Sequence, residues 1–66
     1  MNEHKFQYRM LNRYLTKLNI GLHAASALNY TYRHDAESKD FRQAVEAIRR
    51  SMGIVERKMN ELECES

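Results

Sequence analysis

Residues 41–62 read FRQAVEAIRRSMGIVERKMNEL. Apolar side chains recur along this stretch at alternating spacings of four and three residues, which is the heptad pattern of a helix that lies along another helix. We call this line of apolar residues the second seam, because another lies earlier in the chain. It consists of Phe41, Val45, Ile48, Met52, Val55, Met59 and Leu62. The pattern predicts one long amphipathic helix over about residues 38–63.

The first half of the chain carries a matching pattern, which predicts a helix over about residues 3–33. Its seam consists of Tyr8, Leu11, Leu15, Leu18, Leu22, Ala25, Asn29 and Tyr32. At about 100° per residue, an unbroken helix would turn the two seams to roughly opposite sides. We therefore predict that the chain reverses near residues 33–38. That segment contains two residues that cap helix N-termini well, Asp35 and Ser38.

The two predicted helices indicate an all-α fold, a single antiparallel hairpin domain over residues 1–66 with a short frayed tail at 63–66. A lone hairpin leaves one side of its seam in water and buries too little apolar surface to offset its entropy cost. We therefore expect a homodimer, or a larger closed oligomer, in which two hairpins form a four-helix bundle. The first helix is the expected inner helix, because it also carries apolar residues outside its seam: Phe6, Met10, Tyr14, Ile20, Ala24, Ala27 and Leu28.

Composition indicates a soluble, cytoplasmic protein. No apolar stretch approaches the roughly 20 residues that span a bilayer, and the first residues lack the apolar region of a signal peptide. The single cysteine, Cys64, fits a reducing compartment and excludes a disulfide scaffold.

Charge is distributed unevenly between the two halves. Residues 1–34 hold five basic residues against one acid, whereas residues 35–66 hold six basic residues against eight acids. Four cations recur every four residues along the first helix and form a basic stripe, Lys5, Arg9, Arg13 and Lys17. One interpretation is that the stripe follows a phosphate backbone. The favoured interpretation is that it balances acids at the end of the second helix, Glu56, Glu61, Glu63 and Glu65.

Catalysis finds little support in the sequence. The chain has no Gly-rich phosphate loop, no paired cysteines at zinc spacing and no nucleophile elbow. We therefore predict a protein that is not an enzyme and that holds no cofactor and no metal. One weak alternative is a metal site across the two chain ends, formed by His4, Glu61, Cys64 and Glu65.

In length, hairpin layout and heptad pattern the chain resembles the Rop family of small plasmid proteins. In that family, two helical hairpins dimerise into a four-helix bundle that grips paired RNA loops. The resemblance implies the same assembly and a role in RNA binding. It rests on no matched residue motif, so no binding residue is carried over from the family.

Three functional hypotheses follow. The first is an interaction module that regulates or inhibits a larger protein, with anchors outside the seams at Met10, Ile20 and Ile54. The second is an RNA-binding regulator that uses the basic stripe together with Tyr32, Arg33, Arg49 and Arg50. The third is a protein that binds a small anionic nucleotide between its subunits through arginines and tyrosines. The modest net charge of +2 favours the first hypothesis.

Overall fold

The computed structural model of the protein describes residues 2–65, with side chains from residue 3 to residue 64. Two helices, α1 (Asn2–Thr31) and α2 (Ser38–Glu65), pack against each other along their length. Their Cα atoms span 50 × 14 × 11 Å. The predicted all-helical hairpin is therefore confirmed, and the described residues contain no strand.

The two seams face each other between the helices. Their partly or fully buried residues are Tyr8, Leu11, Leu15, Leu18, Leu22, Ala25, Asn29, Phe41, Val45, Ile48, Met52, Val55, Met59 and Leu62. Tyr32 remains 42% exposed. Among the described side chains, the buried apolar core consists of Val55 and Met59 alone. The hairpin thus has a continuous apolar line between its helices but almost no enclosed core.

α1 ends at Thr31, two residues before the predicted end, because Arg33 caps it. The N–H of Tyr32 still donates to the carbonyl of Leu28 at 2.9 Å, but the N–H of Arg33 turns to the carbonyl of Tyr30. The Arg33 guanidinium donates to that same carbonyl at 2.7 Å and lies 4.2 Å from the centre of the Tyr30 ring. A cation at this helix end satisfies a carbonyl and opposes the negative end of the helix dipole.

α2 begins after a turn of residues 32–37. The Glu37 carbonyl accepts the first helical hydrogen bonds, from the N–H groups of Asp40 at 2.9 Å and Phe41 at 3.3 Å. Glu37 is therefore the N-cap, and Ser38, predicted as a cap, is the first helical residue. The rings of Tyr32 and Phe41 stack across the turn with their centres 5.6 Å apart, which joins the two helices at this end.

At the other end of the hairpin, α2 continues to Glu65 through most of the segment predicted as a frayed tail. Ser66 lies outside the described residues. The Tyr8 hydroxyl donates a hydrogen bond to Glu63 Oε2 at 3.4 Å, so α1 contacts α2 in its last two turns. We call this the open end of the hairpin. Neither described helix has an apolar stretch that is long enough to cross a membrane.

Candidate interaction surfaces

The seam divides the hairpin into two long flanks, each with a shallow groove at the open end. The groove on one flank is lined by His4, Lys5, Tyr8, Arg9, Asn12, Leu62 and Glu63. The groove on the other flank is lined by Gln7, Met10, Leu11, Lys58, Glu61 and Leu62. In helices packed with a heptad pattern, residues that are seven positions apart lie on the same side of the helix. The composition of each flank can therefore be followed along the whole hairpin.

The first flank, which we call the polar side, is hydrophilic from end to end. Steps of seven from Asn12 and Glu63 reach Asn19, Ser26 and Arg33 on one strip, and Glu56, Arg49 and Arg42 on the other. Only Ser26 among these six is partly buried. Water therefore solvates this side, and a partner that covered it would have to desolvate several charges.

The second flank, which we call the small-residue side, is mostly apolar. It consists of the residues reached by steps of seven from four residues of its groove, Gln7 and Met10 on α1 and Lys58 and Glu61 on α2. Its small members are Gly21, Ala24, Ala44, Ala47 and Ser51. Its large apolar members are Met10, Tyr14, Leu28 and Ile54, which are 43–55% exposed. Its charged members are Asp40 near the turn, Lys58 and Glu61 near the open end, and Lys17 near the middle of α1.

A third surface is the outer face of α1, turned away from α2. Phe6 and Ile20 lie there, 60% and 64% exposed, with Arg13 midway between them. The three predicted anchors for a partner protein are all exposed, but they do not share one surface. Met10 and Ile54 lie on the small-residue side, whereas Ile20 lies on the outer face of α1.

The basic stripe winds from the polar side onto the outer face of α1. Lys5 and Arg9 line the polar groove together with Glu63, Arg13 lies on the outer face of α1, and Lys17 lies where that face meets the small-residue side. All four cations are exposed, and within the described side chains none of them forms an ion pair. The acids of α2 can therefore balance the charges of Lys5 and Arg9 at most. The side chain of Glu65, one of the acids predicted to balance the stripe, lies outside the described side chains.

The remaining residues predicted to contact nucleic acid are scattered. Tyr32 and Arg33 belong to the turn, where Arg33 is occupied with Tyr30. Arg49 and Arg50 lie in the middle of α2, exposed on different sides of that helix. The structure does not bring these residues and the basic stripe into one patch.

Other kinds of site find no support in the described part of the chain. No group of three or more His, Cys, Asp or Glu residues there is arranged to hold a metal ion. A small pocket at the turn is lined by Tyr32, Asp35, Glu37 and Phe41. Its two acids make it unsuitable for an anionic nucleotide.

No family model, curated protein or solved structure matches the chain. The similarity to Rop therefore rests on architecture and heptad pattern alone.

Proposed function

We propose that the chain is a homodimeric helical module that regulates or inhibits a larger protein by binding it. The observation that carries the homodimer is the exposed area of the hairpin. A folded monomer of this mass has an accessible surface of about 4,400 Å², whereas the hairpin exposes 5429 Å². The excess, about 1,000 Å², is close to the roughly 800 Å² that each partner loses in a standard interface.

Burial supports the same assembly. Val55 and Met59, 5% and 9% exposed, are the only buried apolar side chains of the described hairpin, so the rest of both seams stays partly exposed. A second hairpin would enclose those residues in a four-helix core. A two-fold dimer is the commonest closed assembly for such a surface.

The outer face of α1 is the surface that we propose for the larger partner. Helix-on-helix recognition uses apolar anchors flanked by charges, and Phe6 and Ile20 are exposed anchors with Arg13 between them. The cations indicate a partner whose own helix is apolar on one face and acidic at its edges.

Sedimentation equilibrium at micromolar concentration is expected to give twice the chain mass of 7.9 kDa. Because the dimer is linked to folding, the thermal unfolding midpoint should also rise with protein concentration. A monomer that unfolds cooperatively, with a midpoint independent of concentration, would contradict the homodimer.

One observation favours a second function, an RNA-binding regulator. The four cations of the basic stripe are exposed and unpaired among the described side chains, so they are available to phosphates. We place this function second because the remaining candidate contacts do not share a patch with the stripe and because the net charge is only +2.

Two variants distinguish these functions. Ile20→Glu removes an apolar anchor, whereas the double variant Lys5→Gln, Arg9→Gln removes two charges of the basic stripe that line the polar groove, away from the proposed partner-binding face, and keeps helix propensity. If the chain binds a protein, affinity capture from source-cell extract at about 150 mM salt should recover one partner with wild type and with the double variant, but not with Ile20→Glu.

RNA binding would give the opposite pattern. Affinity for total cellular RNA would fall steeply between about 50 and 200 mM salt. It would be lost in the double variant and kept in Ile20→Glu. Both variants should remain dimeric, because the altered side chains are exposed and exposed charge pairs contribute about 0–1 kcal/mol at most.

A further inference from the structure

α1 carries a second heptad pattern on its outer face, in addition to the seam that packs against α2. Residues of that face recur at alternating spacings of four and three, which places them on one line along the helix. We call this line the outer row, and it consists of Phe6, Met10, Arg13, Lys17, Ile20, Ala24 and Ala27. At about 100° per residue it lies roughly 150° around the helix from the first seam. α1 therefore has one line for α2 and another, nearly opposite, that α2 does not cover.

The outer row has a charged centre with apolar residues on both sides. Phe6, Met10 and Ile20 are 55–64% exposed. Arg13 and Lys17 are the two members of the row between Met10 and Ile20, and both are exposed. Towards the turn the row ends in two exposed alanines, which leave room for larger side chains of a facing helix. The row thus has the composition of a helix-packing line except at its centre.

α1 itself has no carboxylate to pair with Arg13 and Lys17. From residue 4 to residue 34 the sequence contains no Asp or Glu. Within the described side chains, neither cation forms an ion pair. The residues that flank the outer row are Gln7, Tyr14, Gly21 and Leu28 on one side, and Arg9, Thr16, His23 and Tyr30 on the other. A helix that covers the row must therefore bring its own acids, because covering a cation without a carboxylate is strongly unfavourable.

A second copy of this chain does not provide such a helix. Its α1 has no acid beyond Glu3. The acids of its second half that are three or four residues apart are Glu37 with Asp40 and Glu61 with Glu65. Both pairs lie at the ends of α2, so neither has apolar residues of the same helix on both sides. The charge of the outer row therefore indicates a different protein as its occupant.

We propose that the outer row receives one helix of the larger partner, and that this helix carries two Asp or Glu residues, three or four positions apart, opposite Arg13 and Lys17. Apolar side chains of the partner helix lie on both sides of that acid pair, against Met10 and Phe6 at one end and Ile20 at the other. The acid pair sets the register, because a shift by one turn would cover a cation with an apolar side chain. This inference rests on the proposed function and specifies the partner's helix.

Two designed peptides test the chemistry of the occupant. Both are helical, are long enough to span the outer row from Phe6 to Ala27, and carry leucine at every heptad position except the two central ones. Those two positions hold glutamate in one peptide and lysine in the other. In fluorescence anisotropy with the full chain, we expect the glutamate peptide to bind more tightly than the lysine peptide by about tenfold or more.

Charge reversal locates the binding. The double variant Arg13→Glu, Lys17→Glu should reverse the preference, so that the lysine peptide binds more tightly. Arg50→Glu, Arg57→Glu is the matched control, because both of these arginines are exposed but lie on α2. The control should keep the preference of wild type. If circular dichroism shows that the reversed variant has unfolded, Arg13→Gln, Lys17→Gln takes its place and should lose the preference.

Four results would overturn the proposal. The first is binding of neither peptide or of both equally, and the second is an unchanged preference in the Arg13→Glu, Lys17→Glu variant. The third is dissociation of the homodimer by that folded variant in sedimentation equilibrium, which would assign the outer row to a second copy. The fourth is binding of total cellular RNA that this variant loses, which would assign the row to nucleic acid.

Affinity capture from source-cell extract separates this inference from the proposed function. We expect the partner that wild type recovers to be lost with Arg13→Glu, Lys17→Glu and kept with Arg50→Glu, Arg57→Glu. If the partner is kept with the first variant but lost with Ile20→Glu, the acid pair is wrong while the interaction module stands. If no recovered protein depends on Ile20, the proposed function itself fails.

Discussion

Replacement of Ile48 by alanine is expected to lower the free energy of unfolding by about 2–3 kcal/mol. Ile48 lies at the centre of the second seam, where its Cδ1 faces the Gly21 backbone. Removal of a buried isoleucine side chain typically costs about 2–5 kcal/mol, and Ile48 belongs at the lower end because the hairpin covers it only partly. Urea denaturation followed by circular dichroism at fixed protein concentration measures the change.

Ile20→Ala is the matched control for this prediction. It removes the same atoms from a helical position that is 64% exposed, so it should change the free energy of unfolding by roughly 0.5 kcal/mol or less. For a domain of this length the whole free energy of unfolding is about 3–10 kcal/mol. The difference between the two variants is therefore easily measured. Equal losses at the two positions would show that α1 and α2 do not pack through the two seams.

A larger loss is expected for Val55→Asp, which should abolish cooperative folding at neutral pH. Val55 is the most buried side chain of the described hairpin, 5% exposed. An ionised carboxylate at that position would have no partner in the apolar seam, and a buried, unpaired charge costs several kcal/mol. This penalty is comparable with the whole stability of a small domain. The circular dichroism signal at 222 nm and its thermal transition measure the loss.

Gly53→Asp provides the control two residues away. Gly53 is exposed, and a Cβ built there meets no atom within 4 Å. Aspartate has a slightly better helix propensity than glycine, so this variant should fold at least as well as wild type. Retention of a cooperative transition in Val55→Asp would mean that residue 55 does not face α1.

The heptad spacing was sufficient to predict two packed helices and where they lie, because the period of an apolar pattern reports directly which face of a helix is covered. The ends of the helices were predicted less well. Rules for N-caps favour Ser and Asp side chains, yet the cap of α2 is Glu37 through its backbone carbonyl. The end of α1 depends on the position of the Arg33 guanidinium over Tyr30, a contact that has no sequence signature.

The candidate surfaces were predicted only in part. Exposure of Met10, Ile20 and Ile54 was expected from their positions outside the seams, but their separation onto two surfaces was not. The sequence does distinguish the two flanks of the hairpin, through the residues that lie beside the seams. Residues seven positions apart share a flank, which places Asn19 and Ser26 on one side of α1 and Gly21 and Leu28 on the other. The sequence contains no comparable pattern that predicts the function, because helical hairpins carry out many unrelated activities.

The contacts between α1 and α2 differ in the length of the chain loop that each one closes. The stack of Tyr32 on Phe41 closes only a short loop, whereas the hydrogen bond from Tyr8 to Glu63 joins residues 55 positions apart. Each facing pair from the turn outwards closes a loop only slightly longer than the one before, so the added entropy cost of each contact is small. We therefore expect the hairpin to assemble progressively from its turn, and fluctuations that separate the helices to begin at the opposite end, around Tyr8.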